Sequence, residues 1–483
     1  MPSAMQRDRA LRTWDWLPAG FFALHLLHSL VLAYGYPYHL YDPDLLAHFV
    51  YFRNWLTHDT SLFGVPHFTV PKPLLVFMQG PLADVHLAFY CAAGASALLG
   101  SLVYLIGRDC WSRTAGILFS LFLLLDLSKS VLTLKSGADM YIAVLLFCAI
   151  YLCGRGRSGL AAVCLLLSSL IKPVTLPCAA ALLAAQPRTK AAWAWALVPG
   201  LALPLTLWSN HALLGSAFGS YQFFHEFATL RDSDPIASGH VLHFAFWTQL
   251  VKNRFVSTAP LGFVGLLVWL AADRRRLTSP LLLVPLLFAL GYLLLSQAVP
   301  YVPFFRYFWP LEIWFLGFLV FGILETARRL GGAQRWVRLA LAGVLLFFLT
   351  DDLLIRQLRY RQDFALPFEE SMAFVSSSRD VLVQQPGAEA QHILAPLAFV
   401  PYLTWELNGP RRIERIIIAE HMAVNEATTR PEWILDVPEI YANPRTREIV
   451  AQLIKDGSYE VRLTDGKAAL LSLPSASLPG SSP

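Results

Sequence analysis

Long apolar runs separated by short polar stretches fill the first 350 residues, and that alternation stops near residue 351. The runs occupy 16–36, 83–106, 115–127, 139–153, 159–171, 174–186, 192–209, 257–273, 280–297, 307–324 and 337–350. A helix rises about 1.5 Å per residue, so the longer runs match a hydrocarbon core about 30 Å thick. The shorter ones need flanking residues to complete a crossing. The pattern predicts a polytopic α-helical membrane protein with about 11 transmembrane helices. The pair 159–171 and 174–186, which meet at Lys172-Pro173, could be lost together without changing which way the ends point.

Arginines and lysines cluster in alternate connections: Arg108 and Arg113, Arg155 and Arg157, Arg188 and Lys190, Arg274 to Arg276, and Arg328, Arg329, Arg335 and Arg338. Positive residues stay on the cytoplasmic side, so these loops and the N-terminus are predicted to lie inside. The first apolar run follows Arg7, Arg9 and Arg12 and is as long as a full span, so it is expected to be a retained helix rather than a signal peptide. Facing outward are then 37–82, 128–138, the turn at Lys172, 210–256, 298–306 and everything after about 351. Two of these, 37–82 and 210–256, far exceed ordinary connections, and loops of that length usually carry function.

Beyond residue 351 charges return, and short strand patterns appear at His392-Ile393-Leu394 and Glu414–Ile418. A helix is expected over Pro444–Asp456. A hairpin is expected from Tyr459–Leu463 and Ala468–Leu473, turning at Asp465-Gly466. The organisation expected is a membrane module over 1–350, a small extracytoplasmic α/β domain over 351–475 and a disordered tail over 476–483.

With 56% hydrophobic and 15% charged residues and a mean hydropathy of +0.50, the chain is too apolar for a soluble globule. The net charge of +5 comes from dispersed clusters and forms no basic face, so nucleic acid is not an expected partner. The six cysteines lie in apolar runs or inner loops and suggest neither disulfides nor a zinc site. No Gly-rich phosphate loop is present, which argues against a nucleotide-binding domain.

Candidate chemistry collects at the outer boundary. Asp42-Pro43-Asp44 follows the first span, with Asp44 placed to cap the helix that starts at Leu45 or to act as a general base. Lys72, between Pro71 and Pro73, is placed to meet a lipid phosphate or to snorkel at the interface. Asp139 opens the fourth run behind Lys135-Ser136-Gly137, as a cap or an acid. Lys172, between two apolar runs, calls for a partner or an anion. Arg306, beside Tyr307 and ahead of the tenth run, is an aromatic-belt anchor or a bidentate phosphate grip. His225 and Glu226, in the second long loop, offer amphipathic packing on the membrane surface, or else an acceptor contact or part of a metal site. His25, His28, His39, His48 and His67 carry no assigned role.

Together these residues resemble the GT-C superfamily of membrane glycosyltransferases, nearest in pattern to the lipid A aminoarabinose transferases and protein O-mannosyltransferases. The resemblance covers about the first 330 residues. It rests on Asp44 after the first helix, Lys72-Pro73 closing the first outer loop, Asp139 opening the fourth helix, and Arg306-Tyr307 through Pro310 opening a late one. Arg53, nine residues after Asp44, matches a recurrent arginine and favours Asp44 over Asp42. Leu45 stands where the family usually has Glu, and Pro71 replaces an acid often found before the Lys-Pro pair, which weakens a metal site there.

The resemblance implies a sugar donor on polyprenyl phosphate and inverting transfer to a hydroxyl of a glycan, glycolipid or protein at the outer face of the plasma (inner) membrane. Asp44 would be the base, with Asp42 in reserve and Asp139 as a second acid. Lys72, Arg306, Tyr307 and Lys172 would hold the phosphate. No cofactor is certain, and a divalent metal is left open. The competing classes are a lipid-linked-sugar carrier, which predicts mid-span charges and inverted repeats, and a non-catalytic glycan-assembly scaffold.

Overall fold

A computed structural model describes residues 15–57, 71–185, 190–219, 258–272, 274–298, 309–329, 335–384, 392–396, 399–407, 415–419, 431–438, 444–457 and 459–474. The helices up to the second long loop are α1 (Leu17–Gly35), α2 (Pro43–Thr57), α3 (Pro73–Gln79), α4 (Val85–Cys110), α5 (Arg113–Leu124), α6 (Leu127–Leu134), α7 (Ala138–Gly154), α8 (Ser158–Ile171), α9 (Ala180–Ala185), α10 (Lys190–Leu197) and α11 (Ala202–Leu214). After it come α12 (Thr258–Ala272), α13 (Pro280–Ala298), α14 (Trp309–Arg329), α15 (Arg335–Tyr360), α16 (Leu366–Gln384), α17 (Val400–Leu407) and α18 (Pro444–Gly457).

The predicted apolar runs are mostly helical where they are described, but fewer than eleven of the described helices are by themselves long and apolar enough to cross a membrane. Among the described residues, four helices are long and apolar enough to cross a membrane: α1, α4, the stretch Trp193–Leu214 and α14. A fifth would be α5 with α6, bent by 57°. The others are shorter, as the 13- and 14-residue runs foreshadow. The expected outer loop 128–138 is largely the helix α6. Asp126 caps α6 by accepting from the Lys129 amide at 2.8 Å, and it accepts from Trp309 Nε1 at 2.6 Å, which ties the start of α14 to the bend. The run expected over 174–186 begins as a 3₁₀ helix, Pro173–Ala179, with Pro177 inside it. Proline has no N–H to continue an α-helical ladder, which shortens the α-helical part to α9.

The two ends of the bundle differ chemically. At one, Asp15 meets Arg108 at 2.8 Å and Arg113 at 3.8 Å, and Asp109 meets Arg155 at 2.5 Å. At the other lie Asp139, Ser136 and their neighbours, a full helix length away along α7.

The C-terminal elements form one five-stranded sheet in the order β2-β1-β3-β5-β4, with β1 (His392–Ala395), β2 (Arg415–Ile418), β3 (Trp433–Asp436), β4 (Glu460–Asp465) and β5 (Ala468–Ser472). β1 runs parallel to β2 and β3, while β5 is antiparallel to β3 and β4. The predicted strands, hairpin and helix are present, but the turn falls at Gly466-Lys467, one residue later than expected. Gly466 has φ of +59°, the left-handed region that glycine tolerates best.

Alternation along the strands gives the sheet two faces. Leu394, Ile434 and Leu471 pack with Val450 of α18. Ile393, Ala395, Trp433, Leu435 and Leu470 share a core with Met372 and Val375 of α16, Leu403 of α17, and Leu45, Leu46 and Phe49 of α2. No helix break separates the bundle from the sheet near residue 351, because α15 runs through it and continues by a π-helical turn, Arg361–Ala365, into α16.

These contacts place α2 between two bodies. Residues 45, 46, 49 and 53 lie along one side of a 3.6-residue repeat and face the C-terminal unit, where Trp405 of α17 packs on Phe49 at 5.2 Å and under the Arg53 guanidinium at 5.1 Å. Glu369 of α16 fixes the preceding turn, accepting from the Tyr38 and His39 amides at 3.1 and 2.9 Å and meeting His39 Nδ1 at 2.5 Å. The opposite side of α2 carries Asp44, His48 and Tyr51 at helical spacing.

Candidate active site

The cap expected at Asp44 is supplied by Asp42 instead. Asp42 Oδ1 accepts from the Asp44 amide at 3.0 Å and the Asp42 carbonyl from the Leu46 amide at 3.0 Å, because the helix begins earlier than expected, at Pro43. Pro43, with φ already fixed, starts the helix. Asp42 is only 4% exposed, and its Oδ2 lies 3.4 Å from Lys135 Nζ. Asp44 sits in the first helical turn, where the positive end of the helix favours an anion, and its Oδ2 lies 3.5 Å from Lys72 Nζ. Its side chain keeps 20% of its surface, against 10% for that of Lys72.

Lys72 is the N-cap of α3, in extended backbone ahead of Pro73. A residue before proline is driven out of the helical region, so the Lys-Pro pair aims the lysine away from the helix that follows. Lys172 repeats the arrangement ahead of Pro173, also extended, and its Nζ lies 2.5 Å from Asp139 Oδ1 in the first turn of α7. The carboxylate of this second pair is the more enclosed, with 4% of the Asp139 side chain exposed, while Lys172 at 12% is as covered as Lys72.

The turn from Lys135 to Tyr141 joins the two pairs. Lys135 meets Asp42, and Asp139 meets Lys172. Between them Gln79, at the end of α3, donates from Nε2 to the Ser136 carbonyl at 3.2 Å and lies 3.5 Å from the Tyr141 hydroxyl. Ser136 has φ of +49°, unusual for a residue with a Cβ and a local strain of the kind that collects at functional sites. The other end of the Gln79 amide meets His48 Nδ1 at 2.8 Å. Gly80 allows this fit, since a Cβ there would lie 2.3 Å from Phe52 Cβ on α2.

His48 and Gln79 are site residues that the sequence reading misses. The available signal is the spacing of His48, four residues after Asp44 and so on its face of the helix. His48 is 1% exposed, and burial, reinforced by the positive charge of Lys72, pushes its pKa down to about 3. Burial also pushes the Tyr51 hydroxyl up, and the negative charge of Asp44 adds to the shift.

The structure thus brings Asp42, Asp44, Lys72, Asp139 and Lys172 to one end of the bundle. Arg53 stands on the far side of α2, against Trp405. Arg306, Tyr307, His225 and Glu226 lie outside the described residues. Among the described residues no three His, Cys, Asp or Glu side chains gather to hold a metal ion. What the arrangement can do chemically is accept a proton at a half-open carboxylate while an adjacent ammonium balances an anion.

No family model and no curated protein matches the chain. Among solved structures, the chain is similar to ArnT from Cupriavidus metallidurans bound to undecaprenyl phosphate, at 14% identity and a TM-score of 0.49, over 95% of this chain and 98% of that one. It is also similar to the apo state of ArnT from the same organism, at 13% identity and a TM-score of 0.45, over 94% and 98% of the two chains.

Proposed function

We propose that this protein is a membrane glycosyltransferase of the GT-C type that moves a sugar from polyprenyl phosphate to an acceptor hydroxyl. The observation that carries the reading is the Asp44–Lys72 pair: a half-open carboxylate 3.5 Å from an ammonium, at one end of an apolar helical bundle. A phosphate arriving at Lys72 competes with Asp44 for the ammonium and leaves the carboxylate oxygen available to a hydroxyl. The acceptor oxygen then attacks the anomeric carbon and its proton passes to Asp44. The bond from that carbon to the phosphate oxygen breaks, and the electron pair leaves with the phosphate. Lys72 stabilises the charge that develops, helped by Arg306 and Tyr307. A single displacement of this kind inverts the anomeric centre.

In this reading Asp42 caps α2, and Asp139 with Lys172 braces the floor of the site. The positive loops face the cytoplasm of the plasma membrane, and the site and the sheet domain face outward. A lipid-borne donor accounts for a chain with an apolar bundle and no nucleotide-binding motif.

The test is a donor screen. Purified full chain in lipid is offered polyprenyl phosphates bearing different sugars together with candidate glycan, glycolipid and protein acceptors. Mass gain on an acceptor with matching release of polyprenyl phosphate is the expected outcome. Movement of intact lipid-linked sugar across the bilayer, without consumption, would identify a carrier instead.

A further inference from the structure

Gln79 decides which nitrogen of His48 carries the proton. Its Nε2 donates to the Ser136 carbonyl, an acceptor only, so its Oε1 is the atom 2.8 Å from His48 Nδ1. An amide oxygen only accepts, so Nδ1 carries the hydrogen. The ring is kept neutral by burial and by Lys72, and Nε2 is left with a lone pair. That atom is fully buried and has no hydrogen-bond partner among the described residues.

Buried polar atoms without partners are rare, and one inside a candidate site is an invitation to a ligand group. His48 lies one turn along α2 from Asp44, and the charges of both Asp44 and Lys72 act on its ring. Its lone pair repels phosphate oxygens, so it does not read the phosphate at Lys72. The neutral, hydroxyl-bearing part of a donor, the sugar next to that phosphate, has the matching chemistry.

We propose that His48 Nε2 accepts a hydrogen bond from a hydroxyl of the donor sugar and so contributes to the choice of sugar. The assignment rests on the reading that the donor phosphate binds at Lys72. Sequence alone does not reveal it, because a buried histidine on an apolar helix looks like any packed one.

The test measures binding by the full chain in lipid nanodiscs. The probes are undecaprenyl phosphate bearing glucose, mannose or an aminopentose, and bare undecaprenyl phosphate. His48→Asn keeps an N–H donor for Gln79 at the Nδ1 position and removes the acceptor at Nε2. His48→Gln restores an acceptor near Nε2. The sugar-bearing lipid that binds best should lose roughly tenfold in affinity in His48→Asn and recover part of it in His48→Gln, while bare lipid phosphate binds all three proteins equally. With the wild-type protein, a series of singly deoxygenated sugars should contain one member that loses a similar factor, a readout that needs no variant to fold.

Equal losses for sugar-bearing and bare lipid, no loss for any sugar, or no binding of any sugar-bearing lipid would each overturn the assignment. If sugar-bearing lipid binds in a His48-dependent way and no acceptor ever gains mass, the transfer reading fails and this one stands. Transfer with binding indifferent to His48 gives the reverse.

Discussion

Two lysine–aspartate pairs in this protein are built from the same parts and differ in one property. In each, a Lys-Pro step holds the lysine extended before a helix, and the aspartate sits in the first turn of another helix. Asp139 and Lys172 are closed in at 2.5 Å, whereas Asp44 and Lys72 stand 3.5 Å apart with the carboxylate half open. An enclosed pair exchanges two hydration shells for one close contact and resists opening. A looser pair at an accessible edge can be separated by a ligand. Identical local chemistry therefore serves as a brace in one place and as a reaction centre in the other, and accessibility makes the difference.

Breaking the enclosed pair should have the largest effect on folding. Asp139→Asn removes the carboxylate that holds the Lys172 ammonium at 2.5 Å in an enclosed site and should lower stability by about 3–5 kcal/mol, read as a fall in melting temperature in lipid or detergent. Removing both charges, with Asp139→Leu and Lys172→Met together, should recover most of that loss. A single variant as stable as wild type would erase the distinction between the pairs.

Acid should weaken the open side through His48. Its folded pKa is about 3, below the ordinary value of 6.5, so its neutral form favours folding above pH 6.5, and that contribution is lost as pH falls toward 3. Between pH 7 and pH 5 the wild-type protein should lose about 2 kcal/mol more stability than His48→Gln. Parallel stability curves for the two proteins would contradict the buried neutral ring.

Asp42→Ala should cost about 1 kcal/mol through the lost helix cap, by the same thermal assay. Smallest of all, Lys72→Met should change stability by about 1 kcal/mol or less, because the Asp44 carboxylate it leaves behind is partly open to water and the contact it removes is a loose one at 3.5 Å. A loss comparable to that of Asp139→Asn would make both pairs braces.

The positions of these groups were partly readable along the chain. Asp44, Lys72, Asp139 and Lys172 stand out because charges are costly beside apolar runs, and proline marks where helices start. Which lysine meets which aspartate was not readable, since each pair joins segments far apart in sequence and depends on how α2, α3, α7 and α8 pack. The sequence offers Asp44 as the cap, and only the hydrogen bond from the Asp44 amide shows that Asp42 fills that role. The helices were legible from apolar runs, but the bend at Asp126 was not, because the same residue both caps α6 and receives the Trp309 indole from a distant helix. Four of the five strands of the C-terminal unit were legible as well, but β3 was not, because Trp433–Asp436 is only four residues long and stands without a flanking hairpin signal. Their packing against α2 was not, because Leu45, Leu46 and Phe49 read equally well as facing lipid.

The most direct measurement is the rate of sugar transfer per folded molecule by Asp44→Asn, set beside wild type under saturating polyprenyl-phosphate sugar. The expected result is a fall of about 10²–10⁴-fold with donor binding and melting temperature nearly unchanged. Transfer at the wild-type rate would contradict the assignment of Asp44 as the base.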